Sequence, residues 1–106
     1  PRLNSHDGND FAARQTADFG GMISLCLTDA RAAGPKLVNS LHLVTVAVSL
    51  GDAEHLIEHP ASMTHSTYTE EELAASGIAA GLIRLSEGRE NAEDIIADLK
   101  QALDQL

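Results

Sequence analysis

The helical spacing of hydrophobic residues is clearest in residues 91–106. Apolar residues recur there every three or four positions, at Ala92, Ile95, Ile96, Leu99, Ala102, Leu103 and Leu106. Asn91 directly precedes them and is a favourable N-cap, because its side chain can accept a hydrogen bond from a free N–H of the first turn. The pattern predicts an amphipathic helix from residue 92, with Glu93, Asp94 and Asp98 on the solvent side.

Four shorter segments carry the apolar and β-branched residues that are typical of strands. They are residues 22–27, 43–48, 55–59 and 82–86. Glycine, proline or small polar residues bound each segment, and none is long enough for a helix of ordinary length. We therefore predict four short strands.

Capping residues indicate the remaining helices. A first helix is expected from Asn9 or Asp10 to about Thr16, and a second over residues 30–38 behind Asp29 as cap. Within the second, Gly34-Pro35-Lys36 has the composition of a turn.

Thr69 and Glu72 have the spacing of a capping box, which predicts a short helix that stops at Gly77. Together the elements predict a mixed α/β domain. The simplest arrangement is a small sheet with helices on one face.

Composition limits the classes of function. The chain has 106 residues, with 7 Lys plus Arg against 16 Asp plus Glu and a net charge of −9, which fits one domain and argues against nucleic acid or an anionic membrane surface as partner. A single cysteine, Cys26, excludes an internal disulfide framework and favours a reducing, cytosolic setting. The longest uncharged run, residues 37–51, is too short and too polar to span a bilayer. Because the first residue is Pro1, we expect a piece of something longer.

One sequence pattern suggests a metal site. His55, Glu58 and His59 match the H-x-x-E-H pattern of some zinc peptidases, which requires both histidines on one helix face. Pro60 follows at once, so there is hardly room for a helix. In a strand Glu58 points away from the two histidines, and His65 has no partner at a recognisable spacing. We interpret these residues as ordinary polar strand positions and expect no metal.

Arg84 is a stronger candidate for a functional residue. It lies between Ile83 and Leu85 in a strand that should be half-buried. A guanidinium in such a place is costly unless a carboxylate or phosphate pairs with it. The partner is either a bound carboxylate or one of the many acids of the chain, and the spacing leaves both open.

The segment Ser49-Leu50-Gly51-Asp52 ends a β-branched run. Backbone N–H groups at such an exit can receive an anionic group, although an ordinary turn is the favoured interpretation. The loop over residues 63–66 is polar, and its hydroxyls are expected mainly to satisfy local backbone.

Residues 46–54 and 58–66 resemble the C-terminal small domain of the enzymes of cysteine and methionine metabolism that depend on pyridoxal phosphate (PLP). That family includes methionine γ-lyase, cystathionine γ-lyase and γ-synthase, and the homoserine sulfhydrylases. The segments at residues 5–24, 77–86 and 93–99 resemble the entry and the end of the same domain, in the same order. The resemblance covers essentially the whole chain. It implies a small, mainly antiparallel sheet with helices on one face, as in the C-terminal domain of a fold-type I PLP enzyme, with residues 1–106 forming that single domain.

The resemblance also implies roles for individual residues. Arg84 would bind the α-carboxylate of the substrate, Ser49 would assist it largely through its backbone, and Thr64 would lie beside the same pocket. Val48 occupies the position where cystathionine lyases and synthases typically carry a glutamate that holds the distal polar end of the substrate. An apolar residue there favours the methionine γ-lyase type, whereas His55 departs from the serine usual at its position.

Catalysis in this family needs a lysine Schiff base to PLP and phosphate-binding groups, which a preceding large domain and a neighbouring subunit supply. Neither Lys36 nor Lys100 has the matching context. We therefore expect no catalytic residue in this chain, no activity from it alone, and PLP bound by a large domain of the same polypeptide. The resemblance further implies a sulfur amino acid substrate and a cytoplasmic homotetramer.

Three alternatives remain open at this stage. The intact protein could be a cystathionine lyase or synthase, or an O-acetylhomoserine sulfhydrylase. The chain could also be a standalone, non-catalytic module that keeps an anion pocket at Ser49 and Arg84. A small domain freed from its large domain would expose an apolar interface, so we expect such a chain to self-associate.

Overall fold

Four helices, four strands and one 3-10 turn make up the part of the chain that the computed structural model describes, residues 1–28 and 30–106. In chain order they are α1 Asn9–Gln15, β1 Met22–Cys26, α2 Ala30–Asn39, β2 Thr45–Val46, β3 Leu56–Glu58, the 3-10 turn Pro60–Ser62, α3 Glu70–Ala75, β4 Leu82–Ser86 and α4 Ala92–Leu103. Asp29, the predicted cap of α2, lies outside the described residues. Within those residues no helix is both long and apolar enough to cross a membrane.

The strands form one mixed sheet in the order β1-β4-β3-β2. β4 runs antiparallel to both β1 and β3, and only β2 and β3 are parallel. The last strand of the chain thus lies in the middle of the sheet, where Arg84 is flanked by Ser24 of β1 and Glu58 of β3. The predicted small, mainly antiparallel sheet is confirmed.

One face of the sheet carries the hydrophobic core. Helices α2 and α4 pack against it, and the core residues are Leu37, Val38, Val44, Ile57, Ile83, Leu85, Ile95 and Ala102. Ile83 and Leu85 alternate with Arg84 along β4, so burying them directs Arg84 to the opposite face. This is the predicted two-layer arrangement. Helix α1 has no buried residue and contributes nothing to the core.

Two of the predicted helix caps are present. The Thr69 hydroxyl accepts from the Glu72 N–H, and the Glu72 carboxylate accepts from the Thr69 N–H, which completes the capping box of α3. The Asn91 side chain accepts from the Glu93 N–H at the start of α4. Helix α1 differs from the prediction, since its N-cap is Gly8 and no side chain caps it.

The prediction for α4 was wrong at one polar residue. Asp98 is buried, not on the solvent side, while Ile96 and Leu103 are exposed. The carboxylate of Asp98 accepts hydrogen bonds from the backbone N–H groups of His42, Leu43 and Val44. Residues 42–44 lie just before β2, and no neighbouring strand of the described chain accepts these N–H groups. A buried carboxylate that accepts them is more favourable at position 98 than an apolar side chain, which would leave them unpaired.

Strand β2 is shorter than predicted. It covers Thr45–Val46, whereas the β-branched pattern predicted residues 43–48. The carbonyls of Val48 and Ser49 accept hydrogen bonds from the Arg84 side chain. Beyond Val46 these carbonyls thus accept from a guanidinium and not from a neighbouring strand.

Gly34-Pro35 does not form a turn but lies inside α2. Leu37 and Val38 follow on the same helix and are core residues, and their burial favours continuing the helix through the proline. Gly34 is buried against the imidazole of His59. A Cβ at position 34 would lie 2.3 Å from His59 Cδ2, so the close approach of helix and ring requires glycine.

The buried Asp98 makes stability depend on pH. Burial alone raises the pKa of Asp98, but the N–H groups of Leu43, His42 and Val44 and the Gln101 side chain outweigh it, so the pKa lies below its ordinary value of 3.8. A lowered carboxylate pKa stabilises the fold above the unfolded-state pKa, and this stabilisation is lost as the pH falls through the folded-state value.

We expect Asp98→Asn to lower the free energy of unfolding of the intact protein by about 1–2 kcal/mol at pH 7. The difference from wild type should shrink on acidification below about pH 4, because the wild-type carboxylate is then protonated as well. Thermal melts of both proteins between pH 3 and 7 measure this. A difference that stays constant over the range would contradict the assignment.

Candidate functional site

Arg84 is the centre of a polar cluster on the face of the sheet opposite the core. Its Nη1 lies 2.8 Å from Oε1 of Glu58, its neighbour on β3. Its Nη2 donates to the carbonyl oxygens of Val48, at 3.2 Å, and Ser49, at 2.9 Å. The side chain keeps 24% of its exposure, so the guanidinium is held by three acceptors without being enclosed.

The number of donors in the guanidinium decides what else it can bind. A guanidinium has five N–H donors. Glu58, Val48 and Ser49 engage three of them, which leaves one on Nη1 and one on Nε. Nε is buried and has no hydrogen-bond partner among the described residues. An incoming carboxylate would therefore meet Nη1 first, and a second contact would compete with the longer bond from Nη2 to Val48.

Glu58 was missed as a site residue by the sequence analysis. It is 2% exposed and pairs with Arg84 across neighbouring strands. The sequence does contain a signal for this pair, because the carboxylate of Glu58 and the guanidinium of Arg84 lie in two different predicted strands. Which acid faces Arg84 depends on strand order and register, and neither can be read from local sequence. Of the two partners left open for Arg84, the internal acid is present.

Residues 48–51 form the chain segment that crosses beside Arg84. The side chains of Val48 and Ser49 are exposed while their carbonyls turn towards the guanidinium. The Gly51 N–H donates to the hydroxyl of Ser86, which is buried at the end of β4. Gly51 has a φ of +75°, a conformation that favours glycine, so the turn is fixed both by its residue type and by β4.

A second set of contacts holds the chain after this turn. The Glu90 carboxylate accepts from the backbone N–H of His55 and bonds with its Nδ1, and the Arg89 N–H donates to the Ala53 carbonyl. The hydrogen bond from the His55 N–H is the main cause that lowers the pKa of Glu90 to about 2. Desolvation raises this pKa, and the His55 ring lowers it further. His55 is buried and lies just before β3, so the prediction of a strand position was wrong for this residue.

His59 has a different set of partners. Its ring is fully buried, with Nδ1 bonded to the Ser62 hydroxyl at 2.8 Å and Nε2 to the Ala80 carbonyl at 2.7 Å. His55, Glu58 and His59 therefore bond to different partners: Glu90 for His55, Arg84 for Glu58, and Ser62 and Ala80 for His59. In the described part of the chain no three histidine, cysteine, aspartate or glutamate side chains converge on a point where a metal could bind.

Thr64 lies apart from this hydrogen-bond network. Its hydroxyl bonds with Nδ1 of His65 at 2.9 Å, and the His65 ring packs edge-on against Tyr68. Within the described residues it makes no hydrogen bond with Arg84, Ser49 or Val48. The structure thus brings three of the four predicted positions together and leaves the role of Thr64 a prediction.

The family is decided by comparison with known sequences. A profile of the Cys/Met metabolism PLP-dependent enzymes matches residues 1–104. This chain belongs to that family. The resemblance noted in the sequence is thereby confirmed.

Individual members of the family are also similar. L-methionine gamma-lyase of Fusobacterium nucleatum subsp. polymorphum is 57% identical over 106 residues, which are all of this chain and 27% of that protein. Cystathionine beta-lyase of Lactococcus lactis subsp. cremoris is 49% identical over 105 residues, or 99% of this chain and 27% of that protein. A crystal structure of cystathionine gamma synthase from Xanthomonas oryzae pv. oryzae in complex with cystathionine matches with a TM-score of 0.87 and 49% identity, over 98% of this chain and 27% of that one. The chain spans about a quarter of the length of these relatives.

The residues of this family member do not fit covalent attachment of PLP. Such attachment needs a lysine amine at the site. Lys36, on α2, donates to the carbonyl of Leu106, and Lys100, on α4, pairs with Asp104. Both lysines lie on the two helices that pack against the other face of the sheet from Arg84. The cluster around Arg84 instead fits a small anionic group, because the guanidinium of Arg84 is held in place and partly exposed.

Proposed function

We propose that this chain is the C-terminal small domain of a PLP-dependent carbon–sulfur γ-lyase of the methionine γ-lyase type, and that Arg84 binds the α-carboxylate of the amino acid substrate. The observation that carries the proposal is the guanidinium of Arg84, positioned by Glu58 and two backbone carbonyls but still accessible. The 57% identity to a methionine γ-lyase supports it. The intact enzyme would release a thiol, 2-oxobutanoate and ammonia.

In this proposal the chain contributes binding and orientation, not bond breaking. Arg84 fixes one end of the substrate and so limits where its Cα can lie, which is a positioning contribution to the rate. Ser49 and the turn after it border the carboxylate. Val48, with an exposed apolar side chain, faces the part of the substrate that carries the thioether. Thr64 completes the pocket from its separate loop.

The missing parts of the active site are proposed to lie in a large PLP domain of the same polypeptide and in a neighbouring subunit of a homotetramer. Exposed apolar residues support such contacts on several elements: Leu3, Phe11, Met22, Ile23, Leu43, Val46, Val48, Leu50, Ile96, Leu103 and Leu106. Exposed apolar surface of this extent marks an interaction surface. The isolated chain is accordingly expected to self-associate in sedimentation experiments and to have no lyase activity.

Assays of the intact protein test the proposal directly. Purified enzyme with PLP should release methanethiol from methionine faster than it cleaves cystathionine. The second candidate is a cystathionine enzyme, which the similarity to such enzymes favours. A cystathionine lyase predicts the reverse order, and a cystathionine synthase predicts formation of cystathionine. Absence of both activities, or a coding sequence that begins just before Pro1, would favour a non-catalytic module.

Val48 is proposed to set the preference between these substrates. Val48→Glu places a carboxylate where the distal end of the substrate should lie, so it should disfavour a thioether methyl and favour a distal ammonium. We expect the ratio of kcat/KM for methionine to kcat/KM for cystathionine to fall about tenfold. Val46→Glu, at another exposed valine on β2, is the matched control. An equal change of this ratio in both variants would contradict the placement of Val48 in the substrate pocket.

A further inference from the structure

Glu58 is a buried carboxylate that the proposed substrate chemistry does not use. It is 2% exposed, lies at the end of the short strand β3, and directs Oε1 to Nη1 of Arg84. Its Oε2 is buried and has no hydrogen-bond partner among the described residues. A buried carboxylate with one satisfied oxygen costs folding free energy that an apolar side chain would not. Pairing with the half-buried Arg84 offsets only part of this cost, so the presence of Glu58 needs an explanation beyond stability.

The contacts of Arg84 provide that explanation. Glu58 holds Nη1 from the neighbouring strand, and the carbonyls of Val48 and Ser49 hold Nη2 from the crossing segment. Because a guanidinium is planar and rigid, contacts at both terminal nitrogens fix its plane as well as its position. An unrestrained arginine side chain samples many rotamers, and restricting them before the substrate arrives reduces the entropy lost on binding.

We propose that Glu58 is a positioning residue for substrate binding, which holds the guanidinium of Arg84 in the orientation that receives the substrate carboxylate. This inference rests on the proposed function of Arg84. The carboxylate also partly neutralises the guanidinium, which by itself weakens attraction for an anion. Orientation and charge thus act in opposite directions, and they can be separated by experiment.

Two variants of the intact holoenzyme separate them. Glu58→Gln keeps the length of the side chain and an oxygen acceptor for Nη1 but removes the charge. Glu58→Asp keeps the charge but withdraws the carboxylate by one methylene, out of reach of Nη1. If orientation dominates, Glu58→Asp should raise KM for methionine about tenfold with little change in kcat, and Glu58→Gln should stay within about threefold of wild type.

Binding without turnover gives a second measurement. Norleucine has the same α-carboxylate but no thiol leaving group, so its inhibition constant should follow the KM changes of both variants. Asp98→Asn is the matched control: Asp98 is also a buried carboxylate and accepts hydrogen bonds from backbone N–H groups, but it lies away from Arg84. It should lower the Tm while KM stays unchanged, which separates loss of stability from loss of positioning.

The outcomes decide between the explanations. A KM for Glu58→Gln that rises as much as that of Glu58→Asp would overturn the positioning role, and so would unchanged KM values in both. An Arg84→Ala enzyme measured in parallel distinguishes failure of the proposed function of Arg84 from failure of the role proposed for Glu58. If the KM of Arg84→Ala matches that of wild type, the proposed function of Arg84 fails. If its KM rises while both Glu58 variants leave KM unchanged, only the role of Glu58 fails.

Discussion

Replacing Arg84 by alanine in the intact enzyme should lower kcat/KM for methionine about 100-fold, mainly through KM. The variant loses a charge-assisted contact with the substrate carboxylate, and a factor of 100 corresponds to about 2.7 kcal/mol. It also leaves the buried Glu58 without its cation, which adds a cost to folding. Steady-state kinetics on the purified variant measure the first effect, and a thermal melt measures the second.

Two controls make the result for Arg84 specific. The visible absorbance of bound PLP should persist in Arg84→Ala, because the described partners of this side chain are Glu58, Val48 and Ser49, while the cofactor lysine is proposed to lie in the large domain. Arg84→Lys should recover only part of the activity, since an ammonium cannot bond to Glu58, Val48 and Ser49 in the same fork geometry. Kinetics in Arg84→Ala that match wild type would refute the assignment of the carboxylate site.

Gly34→Ala should destabilise the intact protein by about 3 kcal/mol. The new Cβ would lie 2.3 Å from Cδ2 and 2.4 Å from Nε2 of His59. The ring cannot easily move away, because both of its nitrogens are hydrogen-bonded, to Ser62 and Ala80. The better helix propensity of alanine offsets about 1 kcal/mol of the cost, too little to reverse the sign.

The matched control for this substitution is Gly21→Ala. A Cβ at Gly21 would meet its nearest neighbour, the Glu87 side chain, at 3.5 Å, which is ordinary van der Waals contact. We expect its Tm to stay close to that of wild type while Gly34→Ala melts several degrees lower. Equal melting temperatures for the two variants would show that α2 can shift away from His59.

Most of the fold could be predicted from local sequence signals. Strand β4 was predicted at its observed bounds, and the caps at Thr69 and Asn91 are present, because capping and alternation depend on residues close in the chain. The failures had non-local causes. Asp98 is buried because three N–H groups more than fifty positions earlier need an acceptor, and no periodicity within α4 contains that information.

The candidate site was predicted only in part for the same reason. Alternation within β4 singled out Arg84 as a guanidinium that needs a partner, and the family resemblance added Val48, Ser49 and Thr64. The partner itself, Glu58, lies on another strand, and neither the metal motif nor the family resemblance pairs it with Arg84. Its role depends on β3 pairing with β4 in one particular register.

The positions of most elements and the presence of a costly guanidinium in a strand are evident from the sequence, because both follow from residue types at short spacing, which act within one turn or one strand. Membership of the family instead rests on similarity along nearly the whole chain, residues 1–104. The tertiary structure alone decided that Glu58 and two backbone carbonyls hold Arg84, that His59 packs on Gly34, and that the two lysines point elsewhere. Such contacts join segments far apart in the chain, and only sheet order and helix packing bring them together.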